Sequence, residues 1–557
     1  MQTTINRGSG PYTFLLHGQN YHLMGTLLPD EGSRPKFAQL YTFDTENEVK
    51  NRMDAVRSGD SSSELDPEIV YTLKDMVDSS NVLAQSYRAT RDRLSQTGME
   101  DVKLRLIKKR STDGRTYNLP NSSEIAGLIV GDFDTQKGVR DIVVETQSQK
   151  LQRISELHPL YLPLQYPLIF SYGEDGYRDD IPLRETSASG TRICKKLTMR
   201  QYFAYRIQKR FGDNAVLLHS KKLCQQFMVD AFSMVESERL KFIRFNQDKL
   251  RVDMYKGIEE IILKGDTDAR SIGTRVILPS SFTQGPRYMF NNFVDALQIC
   301  NWIGFPSLFI TITCNPQWPE IQRALSGTNL RPEDRPDILA RVFKMKLNSP
   351  REKYLVAVEH VEKYMIHGPC GLANQNSPCM KDGICTKRFP MSFVNRTEAD
   401  ADGYPVYRIR ENGRTVVKKK TYLDNSSVVP YNRALLKKYR AHINVELCNH
   451  NKSIKYLFKY VNKGHDRVTV AFYQSNNPGE TPESRNEIKM YCDCRYLSIC
   501  EAAWRLFSFD IHFRDPPVIR LSFHLPDSQA VVFIDNDSLV DVLNRPTAKQ
   551  TMFLAWF

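Results

Sequence analysis

The 557-residue chain has eleven histidines, and no two of them stand two positions apart. A β-strand carrying His-x-His would present both imidazoles on one face, ready to hold a divalent ion. That arrangement is excluded here by sequence alone. The pattern G-x4-G-K-[ST] is also missing, so no loop of that kind cradles the β- and γ-phosphates of ATP. No basic leader precedes an apolar core and no apolar run of about 18 residues occurs, which predicts neither a secretory signal nor a membrane span. The eleven cysteines, an odd number without small-scaffold spacing, fit a reducing compartment, nucleus or cytoplasm, rather than a disulfide framework.

What is present is length, apolar content and positive charge. A chain of 557 residues that is 41% hydrophobic can build several packed cores, roughly two to four domains. Its formal charge of +13 and pI near 9.1 favour a polyanionic partner, because Lys and Arg gain free energy by releasing the counterions of nucleic acid.

The pattern of elements reads as α+β and multidomain. Short apolar runs around a Gly18-Gln19-Asn20 turn, with VKLRLI, GLIVGDF and DIVVET further on, suggest strands in a mixed region over 1–171. Within it, Asp66 and Pro67 predict a helix start ahead of apolar Ile69, Val70, Leu73, Met76 and Val77. The polar, turn-rich stretch 172–192 is the best linker candidate. Over 193–348 the pattern turns helical. Leu223, Phe227, Ala231, Val235, Leu240, Ile243 and Leu250 mark one apolar face, read as core packing rather than direct DNA contact. A second helix is expected from Tyr288 to Trp302, then a strand, LFITIT, ending at Cys314-Asn315-Pro316. Segments 349–390 and 391–557 complete the division.

Three groups of residues carry candidate chemistry. His367-x2-Cys370-x8-Cys379-x5-Cys385 offers four soft or borderline ligands in a Gly/Pro/Asn-rich loop, which a closed tetrahedral zinc site would order; reduced cysteines in a polar loop are the alternative. In SIKYLFKYVNKG, Tyr456 and Tyr460 share a helix face, with Lys455, Lys459 and Lys463 in a row one position away. By themselves these tyrosines read as interfacial packing, the usual role of two tyrosines on an amphipathic helix. In AHINVEL, His442, Asn444 and Glu446 fall on one strand face, either a weak metal site or a solvent face. Cys492, Cys494 and Cys500 read as small buried residues. The basic stretches IKKRSTDGR and VVKKK suit phosphate contact, an import signal or plain solvated loops.

Several blocks then fall in a recognisable order: GQNYHLMGTLLPDEGSRPKFAQLYTFDTENEV, QFMVDAFSMVESERLKFIRFNQDKLR, LPSSFTQGPRYMF, LFITITCNPQWPEI, MIHGPCG with NSPCM, AHINVELCNHNKSIKYLFKYVNKG, CRYLSICEAAWRLFSFDIH and FHLP. Together they resemble the replication-initiator half of a Helitron rolling-circle transposase. The resemblance implies a nuclease-like antiparallel sheet with helices, Tyr456 and Tyr460 as nucleophiles toward single-stranded DNA, Lys463 as phosphate ligand and Lys455 and Lys459 near the DNA. It also implies a nuclear location and a divalent ion, Mg or Mn. A phenol with a free pKa near 10 needs such an ion, or cations, to attack a phosphodiester.

The departure from the family lies at one place. Family members continue past a segment like RVFKMKLN into a stretch containing the His-hydrophobic-His strand, whereas this chain passes from Leu347-Asn348 straight to Ser349-Pro350-Arg351. An internal deletion or a wrongly joined gene model accounts for that. The expectation is therefore an incomplete nuclease sheet and impaired catalysis, or a non-catalytic DNA-binding remnant, with an intact transposase as a partner in trans. Without a phosphate loop, no ATP use or unwinding is expected of these residues.

Overall fold

The computed structural model describes residues 13–16, 21–24, 26–30, 32–57, 65–97, 102–106, 126–130, 142–144, 152–183, 196–210, 216–245, 251–254, 274–275, 278–348, 359–401, 405–448, 461, 487–492, 495–519, 521, 523–525, 527–533 and 538–556. Helices and small antiparallel sheets make the fold α+β. The chain forms two compact units, one of residues 19–223 and 230–238, the other of 1–18, 224–229 and 239–557.

In the first of these, Tyr21–Met24 pairs antiparallel with Gln152–Ser155, and Val102–Leu106 lies between Ala126–Val130 and Ile142–Val144 in a three-stranded sheet. Pro67–Ser80 starts where expected: Asp66 accepts from the Glu68 N–H at 2.9 Å, and Pro67 occupies the first position, where its missing N–H is harmless. Its apolar positions do not all enter the core. Val77 is buried, but Ile69, Leu73 and Met76 are exposed. Buried Asn81 joins this helix to Val82–Thr97, accepting from the Leu83 and Ala84 N–H groups while donating to the Phe170 carbonyl at 3.0 Å. Within the stretch read as a linker, Tyr177 is buried and donates to the Leu197 carbonyl, and the Gly176 N–H bonds the Pro159 carbonyl, while Tyr172, Asp179, Asp180 and Pro182 are exposed.

The 24-residue helix Lys222–Phe245 contributes residues 222–223 and 230–238 to that unit and 224–229 and 239–245 to the other. The expected apolar face is buried at Phe227, Ala231, Val235, Leu240 and Ile243, but so are Gln225, Asp230, Ser233, Glu236 and Ser237 on the remaining faces. Burial on more than one face differs from the single dry stripe that the periodicity marks. Each buried polar group then needs a partner. Asp230 accepts a short hydrogen bond from the Tyr166 hydroxyl, and Gln225 donates to the Glu333 carbonyl at 2.7 Å. Burial pushes the Asp230 carboxyl up to about 6, against the opposing bond from Tyr166.

In the second unit, helix Pro286–Ile303 ends at Gly304, whose φ of +88° only glycine adopts easily, two residues before Pro306. Strand Leu308–Ile312 follows as expected and pairs antiparallel with Ile443–Leu447, Ile312 opposite Ile443 and Leu308 opposite Leu447. Among the described residues this sheet has two strands, and Leu308, Ile310 and Leu447 are exposed. The covered end is anchored. Ile443 joins Trp318, Ile321, Leu325, Ile338, Leu339, Val342 and Tyr439 in one core, with Ile312 packed against it. The Trp318 Nε1–H donates to the Tyr439 carbonyl at 2.7 Å, and Asn315 donates to the Arg440 carbonyl at 2.6 Å. The fully buried Arg335 and Asp337 form a bidentate pair, 2.9 and 2.8 Å, at the start of helix Pro336–Asn348. Helix Ile499–Leu506 begins at Ser498, which caps the Glu501 N–H, and buries Ile499, Ala502, Ala503 and Leu506 at helical spacing.

Candidate metal centre

Four donor groups meet beside the segment Met365–His367. The ligand-capable atoms of His367, Cys370, Cys379 and Cys385 all lie within 4.8 Å of one another. Local sequence explains the convergence. Met380–Lys381 and Ile384–Cys385 form a minimal hairpin, and its two turn residues, Asp382 and Gly383, both take positive φ, 51° and 78°. That is the twist a two-residue hairpin needs, and Asp-Gly supplies it cheaply. The hairpin returns Cys385 beside Cys379, and the carbonyl of Cys379 accepts from both the N–H and the hydroxyl of Thr386 at 2.8 and 2.9 Å. His367 is held from the other side: its N–H bonds the Ser427 carbonyl at 2.8 Å and Phe389 stacks on its ring at 4.2 Å.

The donor set fits zinc. With Zn–S near 2.3 Å and Zn–N near 2.05 Å, a tetrahedral ion would set sulfur and nitrogen about 3.6 Å apart; Cys385 Sγ and His367 Nε2 are separated by 3.4 Å. Burial, with Lys387, Lys418 and His442 nearby, lowers the imidazole pKa, the direction that favours the neutral form a metal takes. The Cys370 thiol is pushed up to about 12 by burial, reinforced by its bonds with Cys385 and Cys379. For Cys385, burial acts upward too, but backbone N–H groups of Phe389 and Lys387 and the two neighbouring thiols outweigh it and lower its pKa. An ion here would have four protein ligands and order the loop.

The other candidates stand differently. Tyr456, Tyr460, Lys455, Lys459 and Lys463 lie outside the described residues, as do Cys494 and the stretch IKKRSTDGR. His442 precedes strand Ile443–Leu447 and is bonded through Nδ1 to the Tyr364 carbonyl at 2.8 Å, while Glu446 accepts from Asn444 at 2.7 Å. No third ligand-type side chain joins His442 and Glu446 among the described residues. Cys492 is buried in a core with Leu240, Phe282 and Tyr491; Cys500 is half-buried. VVKKK forms one arm and the turn of a hairpin, Val416–Lys418 against Thr421–Leu423, with Lys419 and Lys420 at the tip. A cleft that no sequence motif marks is lined by Arg396, Arg408, Arg410, Tyr407 and Tyr431. Its only advance signal was the concentration of basic residues around it.

Residues 202–369 match the family model of the Helitron helicase-like domain at the N-terminus. The matched segment includes strand Leu308–Ile312, runs across Asn348 and Ser349, and ends two residues after His367. It defines a protein with a Helitron helicase-like domain, and the chain is accordingly Helitron-related. No curated protein matches it.

Proposed function

We propose that this chain is a DNA-binding descendant of a Helitron rolling-circle initiator whose nicking chemistry is impaired. One observation carries the reading. Across the matched segment the histidines are His219, His360 and His367, and none stands two from another. The family's domain is thus present without the paired histidines that its metal requires. The described residues do not make up a catalytic Mg or Mn site: no third ligand-type side chain joins His442 and Glu446 among them. In this reading Tyr456 and Tyr460 are nucleophiles without a metal to activate them, and single-stranded DNA is bound but not cut. The protein works in the nucleus, beside any intact relative that supplies catalysis in trans, and zinc at His367, Cys370, Cys379 and Cys385 is structural.

The test is transfer of a labelled 5′-phosphate to the purified chain in Mg²⁺ or Mn²⁺. No covalent adduct is expected. An adduct lost in Tyr456→Phe/Tyr460→Phe would overturn the reading and make the chain an active endonuclease. Sequencing of cDNA across codons 348 and 349 is expected to find the junction as it stands; an inserted His-x-His segment would equally overturn it.

A further inference from the structure

The chain's positive charge is concentrated. Between Lys387 and Arg440 there are thirteen Lys or Arg against five Asp or Glu, a net +8 of the chain's +13. In this region a cleft of about 750 Å³ opens, a size within the roughly 300–1,000 Å³ of ligand sites. Arg396, Arg408 and Arg410 line it, together with Tyr407 and Tyr431, and no Asp or Glu does.

The arginines are not equivalent. Arg396 is paired with Glu398 at 2.6 Å. Arg408 and Arg410 are exposed, and among the described residues no carboxylate lies within ion-pair distance of either. Their backbone is nevertheless fixed. Ile409 exchanges two hydrogen bonds with Val394, at 3.0 and 3.1 Å, the Arg408 N–H bonds Thr397 Oγ1 and the Arg410 carbonyl accepts from Asn425. An extended segment places residues i and i+2 on one side, so two guanidinium groups are offered together. Tyr407 is held by the bond between its oxygen and the Leu447 N–H at 2.9 Å, while Tyr431 is exposed at the cleft.

We propose that this cleft binds a single-stranded polynucleotide, Arg408 and Arg410 holding successive phosphates and Tyr431 stacking a base. Guanidinium forks match phosphate oxygens. Stacking on tyrosine requires an unpaired base, which selects a single strand over a duplex. The inference rests on the reading of the chain as DNA-binding and gives that binding a location.

The experiment is fluorescence anisotropy of the full chain with labelled oligo-dT and oligo-U of about 12 nucleotides, inside the ~4–16 nucleotide range of single-strand sites. It is run from low to moderate salt. Arg408→Ala/Arg410→Ala should lower the slope of log K against log salt by about 1.4, near 0.7 for each phosphate no longer neutralised. Tyr431→Ala should weaken binding roughly five- to hundred-fold with the slope unchanged. Lys437→Ala/Lys438→Ala, on helix Arg433–Tyr439 and outside the cleft, removes equal charge as the control. Circular dichroism and metal content of all variants should match the parent, since the altered cleft residues are exposed. Tighter binding to dT or to U identifies the preferred polynucleotide, and loss of that binding in the arginine and tyrosine variants supports the cleft. If the parent binds and the arginine variant behaves like the control, or a duplex of equal length binds more tightly, the cleft assignment fails while DNA binding survives. If the parent binds neither oligonucleotide at low salt, both fail.

Discussion

Removing the metal ligands should unravel one specific segment. Between Ile366 and Pro390 only Pro369 and Cys385 are buried, so this part of the chain has almost no apolar core of its own. Fixing the backbone of the seven residues from Cys379 to Cys385 costs roughly 7–14 kcal/mol at about 1–2 kcal/mol per residue. Burying one small side chain returns no more than about 2 kcal/mol. The roughly 10–16 kcal/mol of a structural zinc ion is the term of the required size. The purified chain should therefore carry about one zinc per molecule by plasma mass spectrometry. Cys379→Ser or Cys385→Ser should lose most of it on dialysis. Limited proteolysis should then cut within 367–390 in the variants, and in the parent only after a strong chelator. A parent free of zinc after growth in supplemented medium, with chelator leaving its proteolysis unchanged, would refute the reasoning.

Two further outcomes follow from buried charge. The Asp230 pKa, raised to about 6 from 3.8, means the folded state holds a proton that the unfolded state has released between those values. Its contribution to stability is present below about 3.8 and is lost as pH rises through about 6, an effect on the order of 3 kcal/mol. Asp230→Asn keeps an acceptor for Tyr166 and should flatten this part of the pH profile of urea unfolding; an unchanged slope between about pH 4 and 7 would count against it. Arg335→Ala leaves Asp337, itself fully buried, with Arg341 at 3.5 Å as its remaining ion-pair partner, and should cost about 3–5 kcal/mol. A loss below about 1 kcal/mol in the same assay would mean that water or Arg341 takes over.

Legibility followed the distance over which residues act. The metal quartet could be read because its ligands lie within nineteen residues, His367 to Cys385, and Asp382-Gly383 announces the turn between two of them. Strand Leu308–Ile312 and the Asp66 cap were local in the same way. The basic cleft was not, because it needs Ile409 bridged to Val394 and Tyr407 bonded to Leu447, pairings that no short window contains. Periodicity also misjudged covering. In Pro67–Ser80 it marked apolar positions that stay exposed, and in Lys222–Phe245 it marked one face of a helix buried on several. An apolar stripe says that a surface can be buried, not what arrives to bury it.

The two small hairpins differ in one respect. The hairpin at Met380–Cys385 turns on Asp-Gly, but the hairpin at Val416–Leu423 turns on Lys419 and Lys420, with φ of 49° and 64°. Left-handed backbone costs a side-chain-bearing residue about 1–2 kcal/mol, and Asn-Gly would avoid most of it. The sequence tolerates the less stable turn and keeps two ammonium groups at an exposed tip. That makes the tip a natural place to separate foldability from charge: Lys419→Asn/Lys420→Gly should give a firmer hairpin on a protein with less attraction for polyanions.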